Sequence, residues 1–164
     1  MSRQYILAHD VGTQGSKAVL VALDGRIIGS VLESYEIFHP RPHWAEQAPE
    51  EWWRAVVKGT RHLLEKYEVQ PKQILCMTFS TQMLGIIPMS SNGQPLRPAI
   101  IWLDSRADAQ AQQIMRKLLG PKVFALVAGC AAFGKDVLPS CSGSNRTRMI
   151  FSIGQRSSLM SVDI

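Results

Sequence analysis

Apolar and polar residues follow one another in two rhythms along this chain, and the change of rhythm marks its elements. Tyr5 to Ala8 is a short apolar run of buried-strand type. It is followed by a turn, Asp10-Val11-Gly12-Thr13-Gln14-Gly15-Ser16, and a second apolar run, Ala18 to Ala22. Asp24-Gly25 is a two-residue hairpin signal leading into Ile27 to Tyr35, so three antiparallel strands in series are predicted. Phe38 to Pro49 contains Pro40, Pro42 and Pro49, which fix φ and lack a donor, and reads as a surface loop. From Pro49 the period lengthens. Trp52, Val56, Leu63 and Tyr67 recur at spacings of four, seven and four, and Trp53, Val57 and Leu64 widen the stripe into a broad apolar face of one helix. Pro49 suits the first turn, and Glu50 and Glu51 set negative charge at the positive end of the helix.

Ile74 to Phe79 reads as a buried-type strand and Leu84 to Met89 as another. Ser91-Asn92-Gly93 then turns the chain into a segment ending at Ile100-Ile101-Trp102. Ser105 is placed to cap a helix running through Ala107, Ala111, Ile114, Met115 and Leu118 to a stop at Gly120-Pro121. This order, with no internal repeat, predicts an α/β fold: a mixed sheet with flanking helices.

Composition narrows the class. At 164 residues, 46% hydrophobic and 19% charged, the chain is expected to form one globular domain with a real core. The formal charge of +5 is scattered without runs, which does not indicate a nucleic-acid partner. Cys76, Cys130 and Cys141 are an odd set without metal-ligand spacing. They suggest neither a disulfide framework nor a zinc site and fit a reducing cytoplasm. No apolar run reaches membrane-spanning length, so no membrane partner is expected.

Asp10-x-Gly12-Thr13-x-x-x-Lys17 lies between two predicted strands, the context of a phosphate-binding hairpin. Gly12 and Gly15 are expected to admit an anion to the backbone and to permit positive φ, Thr13 adds a hydroxyl and Lys17 a charge. Asp10 suits Mg²⁺, which takes one or two carboxylates and keeps its remaining waters. The spacing is not that of a Walker loop, and a strand rather than a helix follows. A glycine-rich hairpin with an Asp for turn geometry is the simpler reading of this motif alone.

Three further segments accompany it: Trp44-Ala45-Glu46-Gln47-Ala48-Pro49-Glu50-Glu51-Trp52, Phe79-Ser80-Thr81-Gln82-Met83 and Ile101-Trp102-Leu103-Asp104-Ser105-Arg106. Taken in order, the four segments resemble the FGGY carbohydrate kinases over about Tyr5 to Pro139, most of that family's N-terminal domain. The resemblance implies a ribonuclease H-like (actin-like ATPase) lobe, here a single incomplete domain, that works with a second kinase lobe. It implies ATP and Mg²⁺ as cofactors and a sugar or polyol as substrate. Asp10 would serve the metal, Gly12, Thr13, Gln14 and Lys17 the phosphates, and Gln82, Met83, Trp102, Asp104 and Arg106 the sugar. An apolar wall for C–H groups and polar partners for hydroxyls are what a polyol needs. Structural roles compete with these: Trp102 as core, Asp104 and Arg106 as an ion pair, and Trp44 with Glu46 to Pro49 as fixtures of the loop and helix start. The four His residues form no spaced set and receive no role. Met83-Leu84 stands where the glycerol branch of the family has an Arg-Glu pair, which disfavours glycerol and leaves the particular sugar open. The family's catalytic Asp lies in the second lobe, so no general base is assigned, and the chain is expected to be inactive alone and prone to self-association. A non-catalytic binding module and an actin-like ATPase are the rival classes.

The character changes after Pro139. Seven of the last 25 residues are Ser, against eight in the preceding 139, and Met149-Ile150-Phe151 is the tail's short apolar cluster. Triplets read from the third base of the Pro139 codon permit a Leu-, Trp- and Lys-bearing continuation of the family's type. Residues 1–139 are therefore read as kinase domain and 140–164 as a frameshifted, poorly ordered tail. Sequencing the gene across codon 139 checks this. An inserted or deleted base is expected, and one continuous frame in clean reads contradicts it.

Overall fold

The computed structural model describes residues 3–117, 149–152 and 159–162. Along the chain run β1 (Tyr5–Val11), β2 (Gly15–Ala22), β3 (Ile27–Ser34), β4 (Glu46–Gln47), α1 (Pro49–Lys66), β5 (Ile74–Thr81), β6 (Ile86–Pro88), β7 (Ala99–Ile100), α2 (Asp108–Lys117), β8 (Met149–Ser152) and β9 (Leu159–Val162). The chain divides into two compact units, Met1–Ile37 with Ala48–Gln82, and Phe38–Gln47 with Met83–Ile164.

In the first unit β1, β2 and β3 form the expected antiparallel series, and β5 joins β1 in parallel to give the order β3-β2-β1-β5. The sheet is therefore mixed, as the element order implies. Alternation along β1 buries Tyr5, Leu7, His9 and Val11 on one face, while Asp10 faces solvent on the other. Both strands of the first hairpin run further into the predicted turn than the apolar pattern indicates, because ladder bonds continue to Val11↔Ser16 and leave Gly12 to Gln14 as the connection.

α1 starts at Pro49 with Glu50 and Glu51 in its first turn, and Ala48 at the N-cap makes no side-chain capping bond. It buries Ala55, Val56, Gly59 and Leu63 over β2, β3 and part of β1. A Cβ on Gly59 would come within 3.2 Å of the Ala18 Cβ, so glycine lets the helix close on the sheet. The core is Tyr5, Leu7, Ala18, Leu20, Leu63 and Val69. The buried stripe is narrower than the sequence pattern suggests: Trp53 points away from the sheet and is 67% exposed. Tyr67 falls just beyond the helix, its N–H bonded to the Leu63 carbonyl at 3.1 Å.

The larger correction concerns β5. Its apolar run predicts a buried strand, yet all its residues after Ile74 are exposed. An apolar run signals burial only where something covers it, and α1 lies over the other three strands while β5 sits at the sheet edge.

The second unit is a five-stranded antiparallel sheet of order β4-β7-β6-β8-β9. The predicted strand from Leu84 shortens to Ile86–Pro88, because Leu84 sits in the left-handed region at φ 59°. α2 begins at Asp108, so Ser105 is not its immediate cap. Instead the Ser105 carbonyl accepts the Asp108 N–H at 3.3 Å. The expected helix end at Leu118 to Pro121 lies outside the described residues. Within the Ser-rich tail, β8 contains Met149-Ile150-Phe151 and pairs with β6 and β9. No helix among the described residues is long and apolar enough to cross a membrane.

His9 gives the first unit a pH dependence. It is 2% exposed, its Nε2 lies 3.1 Å from the Thr60 hydroxyl, its Nδ1 meets no partner among the described residues, and its ring stacks on Phe79 at 5.4 Å. Burial lowers its pKa below the usual 6.5. Above that value His9 is neutral folded or unfolded. As pH falls through it, the unfolded chain takes up a proton that the folded chain refuses, so stability declines until the folded pKa is reached. Urea unfolding followed from about pH 7.5 to about pH 5 is expected to show this decline, and His9→Phe to flatten it. An identical slope in the variant contradicts the assignment.

Candidate functional site

The first hairpin brings together every residue expected on the phosphate side. Asp10 and Lys17 are register partners across β1 and β2, both exposed on the face opposite α1. Between them Gly12 donates its N–H to the Gly15 carbonyl at 3.0 Å, closing a tight turn with Thr13 and Gln14 at its tip. Neither Gly12 nor Gly15 takes positive φ, which corrects the reason for glycine here. Gly15 is required by close approach, since a Cβ there would stand 2.7 Å from the Glu33 carbonyl oxygen of β3. At Gly12 a Cβ would meet only the Gly15 carbonyl oxygen, at 3.5 Å, so its bareness leaves the front of the turn open.

Tyr35, to which sequence reasoning gave no site role, latches this turn. Its hydroxyl donates to the Gly12 carbonyl, and its N–H donates to the Gln14 carbonyl at 3.3 Å. Burial, with the nearby Asp10 carboxylate, pushes its phenol up to about 12, so it remains a donor at neutral pH. Tyr35 ends the third predicted strand, and nothing in its spacing marks it as a latch.

Gln82 arrives at the same end of the sheet by way of β5. The parallel register sets Asp10 beside Ser80 and Val11 beside Thr81, and the next residue, Gln82, donates its N–H to the Val11 carbonyl at 2.8 Å. The metal-side acid and the first sugar-side residue thus hang from adjacent strands. A lone exposed carboxylate suits Mg²⁺, which keeps most of its waters when it is held through substrate phosphates. Among the described residues no three His, Cys, Asp or Glu side chains gather into a closed cage for a metal.

The remaining expected sugar-side residues lie in the second unit. Met83 is 54% exposed and Trp102 is 36% exposed in the loop after β7, so Trp102 is not core. Asp104 is buried, and its carboxylate is fully engaged. It accepts the Ala45 N–H at 2.7 Å, the Arg106 N–H at 3.0 Å, and the Arg106 guanidinium through Nε at 2.9 Å and through Nη2 at 2.7 Å. Arg106 continues to the buried Glu46 carboxylate at 2.6 Å and stacks 3.7 Å over the Trp44 ring. Arg97 completes the Glu46 pair from the other side. Burial alone would lower the Arg106 pKa, but its bonds to Asp104 and Glu46 raise it above the usual value. This network ties the Trp102 loop to the Trp44 loop, with backbone bonds from Ser105 N–H to the His43 carbonyl and Ile101 N–H to the Ala45 carbonyl. Asp104 and Arg106 therefore shape the loop that carries Trp102. Glu46 and Arg97 escape sequence reasoning as members because they lie 60 and 9 residues from Arg106.

A mixed sheet opened by such a hairpin, with a helix packed on it, is of the actin-like ATPase class. The model for the FGGY family of carbohydrate kinases, N-terminal domain, matches residues 5–132, and the chain belongs to that family. It is 37% identical over 114 residues to a xylulose kinase of Staphylococcus epidermidis, covering 70% of this chain and 23% of that one. It is 33% identical over 120 residues to a gluconokinase of Bacillus subtilis, covering 73% and 23%. A crystal structure of a xyloylose kinase from Brucella ovis superposes with a TM-score of 0.74 at 26% identity, over 84% of this chain and 28% of that one. The chain thus spans roughly a quarter of the length of these relatives.

The network sets a stability contrast. Asp104→Ala strips the Ala45 and Arg106 N–H groups of their buried acceptor and leaves Arg106 with Glu46 alone, a loss of about 1–3 kcal/mol. Arg97→Ala removes a more exposed partner and is expected to cost less than about 1 kcal/mol. Urea midpoints of the two variants check this, and equal losses contradict it.

Proposed function

We propose that this chain is the nucleotide-phosphate and sugar-contacting portion of an ATP-dependent carbohydrate kinase, acting on a sugar or polyol hydroxyl. The observation that carries the reading is the Gln82 N–H to Val11 carbonyl bond, which sets Gln82 beside the Asp10 to Lys17 hairpin at one sheet end. The order of three antiparallel strands and one parallel strand supports a ribonuclease H-like lobe. In this reading Asp10 holds the metal, Lys17 and the Gly12-Thr13-Gln14 turn hold the phosphates, and Gln82 and Met83 serve the sugar side. Trp102 offers the apolar wall, with Asp104 and Arg106 fixing its loop. When bound, Mg²⁺ supplies neutralising charge for the transferring phosphoryl group, and positioning and electrostatics carry most of the rate in such reactions. Similarity to xylulose kinases and gluconokinases favours a ketose or sugar acid as acceptor. No residue of this chain is assigned as general base, so the chain by itself binds without turnover.

Thermal shift with MgADP and a panel of pentuloses, hexuloses and gluconate, paired with a coupled ADP-release assay, tests this. Stabilisation by MgADP that Asp10→Asn weakens, without ADP release, is expected. Robust turnover contradicts the assignment of this chain as a non-catalytic portion, and no nucleotide response contradicts the hairpin assignment.

A further inference from the structure

Backbone N–H groups attract an anion and carbonyl oxygens repel it, so a turn receives a phosphate only when its peptide groups are held the right way round. In a planar trans peptide the carbonyl and the following N–H point in opposite directions. The peptide between Gly12 and Thr13 is poorly placed to hold itself, because Gly12 has no Cβ to restrain its backbone dihedrals. Tyr35 supplies the hold from outside the hairpin. Its hydroxyl donates to the Gly12 carbonyl and its N–H to the Gln14 carbonyl at 3.3 Å, so one residue takes up a carbonyl on each side of Thr13. Tyr35 directly follows β3, whose Glu33 carbonyl already lies against Gly15, so the end of this strand braces the turn along one side.

We propose, on the phosphate-binding reading of this hairpin, that Tyr35 is a positioning residue for the nucleotide phosphates. Its hydroxyl holds the Gly12 carbonyl back, so that this oxygen does not swing toward the anion. A phenol suits the task because it donates without carrying charge. Burial, with the Asp10 carboxylate nearby, pushes its pKa up to about 12, so it stays a neutral donor across the physiological range. A cationic donor in its place would pair with Asp10 and compete with the metal for that carboxylate.

Isothermal titration of the full chain with MgADP and with magnesium pyrophosphate, wild type against Tyr35→Phe, tests the proposal. Phenylalanine keeps the half-buried ring and removes the hydroxyl donor. Affinity is expected to fall about fivefold, roughly what one hydrogen bond contributes, and by the same factor for both ligands, since the defect lies on the phosphate side. In the unliganded variant the Gly12 carbonyl carbon and the Thr13 amide are expected to shift by nuclear magnetic resonance, while Asp24 and Gly25 stay in place. A role in stability alone would lower the urea midpoint and leave the affinity of the folded chain unchanged. Should Tyr35→Phe lose its fold, a ring-fluorinated tyrosine at position 35, near in shape and more acidic, takes its place. Its affinity for both ligands is expected to fall as rising pH removes the phenol proton, over a range in which the wild type is level. Wild-type binding that the variant matches for both ligands overturns the role of Tyr35 and leaves the hairpin assignment standing. A loss confined to MgADP also overturns it, because the defect then lies away from the phosphates. A wild type that binds neither ligand removes the hairpin assignment and the role of Tyr35 together.

Discussion

The pairing of β1 with β5 is the constraint on which the candidate site depends. The hairpin alone is a turn with an acid and a lysine across from each other. Parallel bonding carries the chain back from α1 to the same end of the sheet and delivers Gln82 beside Val11. A parallel connection requires a crossover, and α1 is that crossover, seated by Gly59 against Ala18 and by Leu63 in the core. Core packing, helix placement and site geometry are thus one arrangement. A slip of β5 by one residue would turn Ser80 away from the Asp10 face and carry Gln82 from Val11.

Two kinds of order hold the functional residues. The hairpin is fixed by backbone bonds and the Tyr35 latch, which leave Asp10 and Lys17 on the open face. The Trp102 loop is fixed by buried charge, with Asp104 and Arg106 consumed by each other and by Glu46. A buried ion network of this kind specifies a geometry more than it adds stability, because desolvation offsets much of the attraction. Its use here is to set a loop whose exposed member is an aromatic ring.

Much of this was legible in the residues. Alternation gives β1 to β3, Pro49 with two acids gives the start of α1, and the ordered motifs give the family that the comparisons then establish. What stayed hidden was tertiary. An apolar run has the same appearance in an edge strand as in a covered one, so β5 read as buried, and Trp53 read as core because one helical stripe cannot show how wide its covering surface is. Glycine at 12 and 15 signalled a special backbone correctly but for the wrong reason, since the cause at Gly15 is the carbonyl of Glu33 on β3. Glu46 and Arg97 had no local signature, because their partnership is written only in the pairing of β4 with β7.

In the proposed reading the Asp10 to Lys17 turn receives a metal-bound nucleotide phosphate while Gln82 waits beside it. Amide chemical shifts of the labelled chain during titration with MgADP test this residue by residue. Saturable shifts are expected at Gly12, Thr13, Gln14 and Lys17, with Gln82 responding next and the far hairpin at Asp24 and Gly25 unmoved. Shifts confined to that far end, or none at saturating nucleotide, would contradict it.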